Sequence, residues 1–398
     1  MKVRLLIIIL IFAGCRLSAQ KTTDFSVVDR QMLQIPDSSA RTVESIARYV
    51  NSKFTNEEDK IRAIFYWVAK NVKYDIENMY AVNFYENEDQ IVEKAMKNRK
   101  GICMHYATLF SAISNKAGIK AFVVDGFTKQ NGIVDYVPHA WNAAFVDSKW
   151  KLYDPTWASG YNLNGKFVSK LNNQYYDIKP ETHIKSHIPF DPIWQLLNYT
   201  VNNSEFYQGK TEINKKKPFF NFNDSIAKQQ SLTEIKKLRA ANKRLESNGI
   251  SNSLLHDRHQ YNLRQIEYLT NKEYADKYNK DAGLLSTASA KYNEGINSLN
   301  EFINYRNLQF TPTKPDPVIK LMLQNVDESL RASKDLLEKI VLPDINLQQS
   351  ITQLNRSIDE AYKNLDGHKA FLNKYLSTGK LLRKSLFYKY SVMGIPVN

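Results

Sequence analysis

Residues 100–127 read KGICMHYATLFSAISNKAGIKAFVVDGF, and the hydrophobic period changes inside that stretch. Met104, Ala107, Phe110, Ile113 and Ala117 recur at helical spacing, and Gly118 sits where such a helix stops. Ile119 to Val124 is then a short apolar run suited to a buried strand. Cys103 therefore falls at or near a helix N-terminus. Downstream, Ala140–Val146 reads as a second strand, VDSK as a turn, and Trp150–Tyr153 as a third strand ended by Asp154-Pro155. Helix, strand, hairpin is an α+β order with an antiparallel sheet.

Working outward, Val43, Ile46, Ala47 and Val50 mark a helix. Thr55 and Glu58 form a capping box for another, whose apolar face is Ile61, Ile64, Phe65 and Val68. A short helix is expected over Gln90–Lys97, and Lys21–Pro36 reads as an irregular arm. From Asp224 the chain turns helical: one helix to Gly249, then runs over Leu254–Asn279, Asp281–Arg306, Pro317–Val341 and Ile345–Leu376. The expected domains are a core over 20–200, a linker over 201–223 and an all-α bundle over 224–398, at a length comfortable for two domains.

The first residues, MKVRLLIIILIFAGCRLSAQ, join Lys2 and Arg4 to an apolar run too short to span a bilayer, the pattern of a secretory signal. Cleavage after Ala19 competes with lipidation of Cys15, so the protein is expected in the periplasm or outside the cell, or as an outer-membrane lipoprotein. A lipid at Cys15 would be its one link to a membrane. The chain has two cysteines, so cleavage after Ala19 leaves Cys103 as the lone thiol. The net charge of +14 suits an anionic envelope surface, and nucleic acid is not an expected partner of an exported protein.

A helix N-terminus stabilises a thiolate, and a cysteine nucleophile also needs a base and a group that orients the base. His139, in YVPHAWN (136–142), opens one strand, and Asp154, in YDPTW (153–157), closes its hairpin partner. Taken singly, each has a bland reading as a buried thiol, a structural histidine or a turn aspartate. His183 and His187 have the spacing of a helical metal pair, but Pro180 and Pro189 bracket them and no third ligand is near, so no metal is expected. His105 reads as a surface or supporting residue. No phosphate loop or nucleotide fingerprint is present, and no cofactor is expected.

Together, Gly101-Ile-Cys103, His139-Ala-Trp-Asn142, Asp154-Pro-Thr-Trp157 and the helix AIFYWVAKNVKYD (63–75) resemble the transglutaminase-like superfamily, in its exported bacterial, kyphoscoliosis-peptidase and cytokinesis-associated branch. The resemblance covers about residues 56–160, with HIPFDPIWQLL (187–197) as an extension. It implies a papain-like fold with Cys103 as nucleophile, His139 as base then acid, and Asp154 as the orienting carboxylate. The implied chemistry is acyl transfer from an amide of a protein or peptide substrate, resolved by water or by an amine. The Cys103 backbone N–H is the implied oxyanion donor, with Trp67, Asn83 and Tyr85 as candidates for a second. The rival reading is a non-catalytic envelope scaffold that binds through this domain and the helical region.

Overall fold

The computed structural model describes residues 24–80, 86–341, 343–390 and 396–397. The signal-like run with Cys15 lies outside the described residues, as do Asn83 and Tyr85. The chain divides into two compact units, Met1–Ile266 and Glu267–Asn398.

The first unit opens with a helix, α1 (Ser26–Leu33), where an irregular arm was expected. Only Val28 and Met32 of its apolar residues are buried, and a distant partner fixes it. Arg62, fully buried, donates to both carboxylate oxygens of Asp29 at 2.7 and 2.6 Å. α2 (Val43–Lys53) follows, then α3 (Glu57–Asn71). The N-cap of α3 is Asn56, whose side chain accepts the Asp59 N–H at 2.7 Å, one residue beyond the expected Thr55–Glu58 box. Every residue from Ile61 to Ala69 is buried, so α3 runs through the core. Next come β1 (Lys73–Tyr74), α4 (Glu88–Asn98), β2 (Lys100–Gly101) and α5 (Cys103–Lys116). Gly118, with φ +90°, ends α5 as its position suggested.

The sheet consists of β3 (Ala121–Gln130), β4 (Ile133–Val134), β5 (His139–Val146), β6 (Lys149–Tyr153) and, far downstream, β9 (His187–Pro189). Its pairs are all antiparallel. Gly126 of β3 faces His139 of β5 on one side and Pro189 of β9 on the other. A Cβ on Gly126 would lie 2.1 Å from the Ile188 carbonyl oxygen, so only glycine lets β9 approach. Between β6 and β9 lie α6 (Pro155–Ser159), the hairpin β7 (Gly160–Leu163) with β8 (Lys166–Ser169), and α7 (Pro180–His183).

Both sheet faces are covered, which is why HAWNAAFV of β5 is almost wholly buried rather than alternating. Leu109, Phe110 and Ile113 of α5 join Phe65 of α3 and Tyr153 of β6 in one cluster. Val124, Trp141 and Leu152 meet Ile193, Leu196 and Ile226 in another. A third joins Phe127 and Ile188 to Phe206, Leu245 and Leu255. These last residues belong to α8 (Asn203–Tyr207), α10 (Glu234–Asn248) and α11 (Ser253–Asn307), while Ile226 lies in α9 (Phe222–Gln230). The expected domain boundary at 201–223 is therefore displaced to 266, because the helices after it supply core to the first unit. Arg244 of α10 reinforces this by donating to both oxygens of Asp191 at 2.7 and 2.6 Å.

The second unit takes the rest of α11 with α12 (Asp316–Glu338) and α13 (Ile345–Ser377). The helices expected over 254–279 and 281–306 are one, since neither proline nor glycine interrupts residues 279–281. Conversely, the single helix expected over 224–249 is two, separated at Ser231–Thr233. Asp327 pairs with Lys369 and Lys334 with Asp359, so α12 and α13 run antiparallel. Phe302, Leu323, Leu330 and Leu365 lie in their shared core.

Candidate active site

Cys103 is the first residue of α5 and is half-buried. The loop before it is held from two sides. β2 pairs in parallel with β1, setting Tyr74 opposite Gly101, and the Asp75 N–H donates to the Gly101 carbonyl at 2.9 Å. His105 turns back so that its Nδ1 accepts the Ile102 N–H at 3.3 Å, which makes it a cap for the helix that carries the thiol. A Cβ at Gly101 would lie 2.6 Å from that side chain.

His139 begins β5 and Asp154 follows β6 directly. The register pairs Asn142 with Tyr153, so Asp154 leaves the ladder just past its last rung. Here the backbone turns into α6, with Pro155 at the first helical position. Asp154 is the N-cap: its Oδ1 accepts the N–H groups of Thr156 and Trp157, both at 2.9 Å. Its Oδ2 accepts the Nε2–H of His139 at 2.8 Å. Cap and partner of the imidazole are one carboxylate, which explains why Asp-Pro stands at this point.

Burial by itself would push the His139 imidazole down. The Asp154 carboxylate, through its charge and hydrogen bond, outweighs that, and with a hydrogen bond and charge from Cys103 carries His139 up to about 10. Asp154 shows the reverse: burial favours the acid, but the charge and hydrogen bond of His139 and a bond from His187 hold it well below the usual carboxylate range. The pair is ionised, imidazolium against carboxylate. Since Nε2 is spent on Asp154, Nδ1 is the ring nitrogen left for Cys103.

The structure thus brings the three predicted residues together and adds one that the sequence reading set aside. His187 also donates its Nε2–H to Asp154 Oδ2, at 3.2 Å. The helical spacing of His183 and His187 is misleading, for His183 ends α7 and His187 begins β9. The visible signal was HIPFDPIWQLL, read as an extension without a role for its histidine. His139, Asp154 and His187 offer three ligand atoms within 4.8 Å of one another. The 2.8 Å between His139 Nε2 and Asp154 Oδ2 is a hydrogen-bond distance, shorter than the roughly 3.3 Å separating two ligands about 2.0–2.1 Å from one tetrahedral ion. The arrangement is built for protons.

Trp157 and Trp141 wall the imidazoles, at 5.5 and 6.0 Å from the His139 ring. Trp157 also meets His187 edge-on at 4.4 Å. Trp141 is wholly buried, whereas Trp157 is half-exposed and faces a cavity of about 800 Å³. His139, Tyr74, Tyr161, Phe167 and Tyr175 also line this cavity. Burial, the largest influence, and the charges of Cys103 and Asp154 both push the Tyr74 hydroxyl up, so it stays neutral beside them. Of the second oxyanion candidates, Trp67 lies in the core beneath the Arg99 guanidinium, 4.5 Å from its ring.

Residues 44–155 match the transglutaminase-like superfamily core domain. The chain carries a transglutaminase-like core. Kyphoscoliosis peptidase of Mus musculus is 30% identical over 169 residues, 37% of this chain and 25% of that protein. Hillarin of Drosophila melanogaster is 23% identical over 205 residues, 46% of this chain and 24% of its own. The chain thus spans about a quarter of the length of these relatives. Among solved structures, the periplasmic domain of TgpA from Pseudomonas aeruginosa aligns with TM-score 0.25 at 20% identity, over 34% of this chain and 51% of that one. The transglutaminase-like core sets an antiparallel sheet against the helix that carries Cys103.

Proposed function

We propose that the first unit is a cysteine-dependent enzyme that cleaves or transfers acyl groups at amide bonds of a protein or peptide. The observation that carries this reading is the buried, ionised His139–Asp154 pair beside a cysteine at a helix start. The Cys103 sulfur, whose proton His139 holds at Nδ1, attacks the amide carbonyl. The Cys103 backbone N–H, a first-turn donor of α5, receives the oxyanion. Collapse of the tetrahedral adduct breaks the C–N bond, and the leaving amine takes its proton from His139. A thioester remains, with the acyl group on Cys103. Water or a second amine then attacks it, giving its proton to His139, and the sulfur is released as the thiolate beside the imidazolium. Hydrolysis takes precedence over cross-linking, because water is always at hand whereas an amine needs a site of its own. The name of the mouse relative, kyphoscoliosis peptidase, agrees with that order.

The basic charge and the signal-like N-terminus support a substrate in the cell envelope, outside the cytoplasm. Alkylation of Cys103 across pH tests the reading. Wild type should react with iodoacetamide well below pH 7, and His139→Ala should abolish that low-pH reaction. A thiol that titrates like free cysteine sinks the enzyme and leaves the scaffold. Trapping of acylated Cys103 from envelope extracts, with Cys103→Ala as control, would then identify the substrate.

A further inference from the structure

An ionised carboxylate only accepts hydrogen bonds, and its two oxygens offer about four acceptor positions. In Asp154 four donors occupy them. Two are the backbone N–H groups of Thr156 and Trp157 on Oδ1, the third is His139, and the fourth is His187. Acyl transfer as written above uses the first three and gives His187 nothing to do.

The hydrogen bonds of His187 fix its tautomer. Nε2 faces an oxygen that cannot donate, so Nε2 carries the proton. Nδ1 lies 2.8 Å from the Ser186 hydroxyl and accepts from it. His187 is wholly buried, and burial outweighs the Asp154 hydrogen bond, so the ring is neutral beside the His139 imidazolium. A second cation at that place would be repelled by the first. His183, also neutral from burial, stacks on it at 4.2 Å with 23° between the ring planes. The backbone of His187 is pinned by the sheet, where it faces Thr128.

We propose that His187 is a positioning residue for the His139–Asp154 pair: its neutral Nε2–H anchors Asp154 Oδ2 so that His139 presents Nδ1 to Cys103. This rests on the cysteine-enzyme reading above. Without the fourth donor, one acceptor position of a buried carboxylate is left unpaired, a cost borne by the charged form alone. Asp154 then takes up a proton at higher pH. Once neutral it no longer holds His139 charged, and the thiolate loses its counter-ion. The other ionisable groups facing this cluster are Cys103, His183, Tyr74, Tyr175 and Asp135. Both tyrosines are pushed up and stay neutral on the acid side, and Asp135 is engaged by Thr128 and Gln130.

The test uses the full-length protein and no substrate. The rate of iodoacetamide alkylation is followed at the Cys103 peptide by mass spectrometry from about pH 2.5 to about pH 9, in wild type, His187→Phe and His187→Gln. Phenylalanine keeps a ring without a donor, and glutamine restores a neutral N–H near the place of Nε2. His187→Phe should move the acid limb up by about one pH unit, roughly a tenfold slower reaction at a given pH along that limb. His187→Gln should return most of that shift, with circular dichroism showing all three folded. An unmoved limb in folded His187→Phe, or a folded His187→Gln as impaired as it, overturns the inference alone. A wild type that is alkylated only at the high pH of a free cysteine overturns the enzyme reading and this inference together. Should His187→Phe not fold, Ser186→Ala replaces it. Freed of the Ser186 hydroxyl, the tautomer should give a smaller shift in the same direction, and no shift there overturns the inference.

Discussion

The side-chain amide of Asn142 donates to the Ala107 carbonyl at 2.8 Å and so bolts the strand that begins with His139 to the helix that begins with Cys103. A second, longer bond runs from the same nitrogen to the Phe122 carbonyl on the neighbouring strand. Asn142 is wholly buried. Asn142→Ala should lower stability by about 1–3 kcal/mol, the range for unpairing buried polar groups. Urea unfolding would measure it. In the folded fraction, low-pH alkylation of Cys103 should also slow, since the strand of His139 and the helix of Cys103 no longer share a brace.

The ionised pair imposes a definite pH dependence on folding. His139 lies above its ordinary value when folded, at about 10, so its contribution is complete below the unfolded value near 6.5 and is lost as pH rises through about 10. Asp154 lies below its ordinary value, so its contribution is complete above about 3.8 and is lost as pH falls below that. The stability difference between wild type and His139→Ala should therefore be greatest between about pH 4 and about pH 6.5. It should shrink towards about pH 10. Denaturant titrations at several pH values check this, and a flat difference contradicts the ion pair.

Gly126→Ala should act on the site from a distance. The added methyl group would meet the Ile188 carbonyl oxygen at 2.1 Å and the Trp141 ring at 2.6 Å. β9 must move, and His187 moves with it. The variant should lose about 1–3 kcal/mol of stability, as overpacked cores do. Its Cys103 alkylation profile should shift in the direction of His187→Phe.

Leu245→Ala tests where the first unit ends. Leu245 is 1% exposed and packs in the cluster of Phe127 and Ile188. Truncation should cost about 2–5 kcal/mol. The loss should appear in a probe of the first unit, such as near-ultraviolet dichroism, which reports the tryptophans; all five lie between residues 67 and 194.

How much was legible in the sequence follows from how local each signal is. Cys103, His139 and Asp154 each stand at an element boundary marked by its own neighbours: a helical period after the cysteine, an apolar run after the histidine, Asp-Pro after the strand. His187 has no such mark, because three residues of β9 are too few to show a period and its partner lies 33 positions upstream. α1 was missed for a similar reason: its anchor is the buried Arg62 on another helix. The domain boundary was misplaced because α9 and α10 are largely polar and bury only one and three residues. Those few are what close the core.

The lateness of β9 bears on how the protein is made. During synthesis from the N-terminus, Cys103, His139 and Asp154 are all extruded before His187, and Pro189, which faces Gly126, comes later still. Until that strand docks, Asp154 has three of its four donors. The donor set of this buried carboxylate is therefore completed only by a long-range pairing, the kind of contact that forms late in folding.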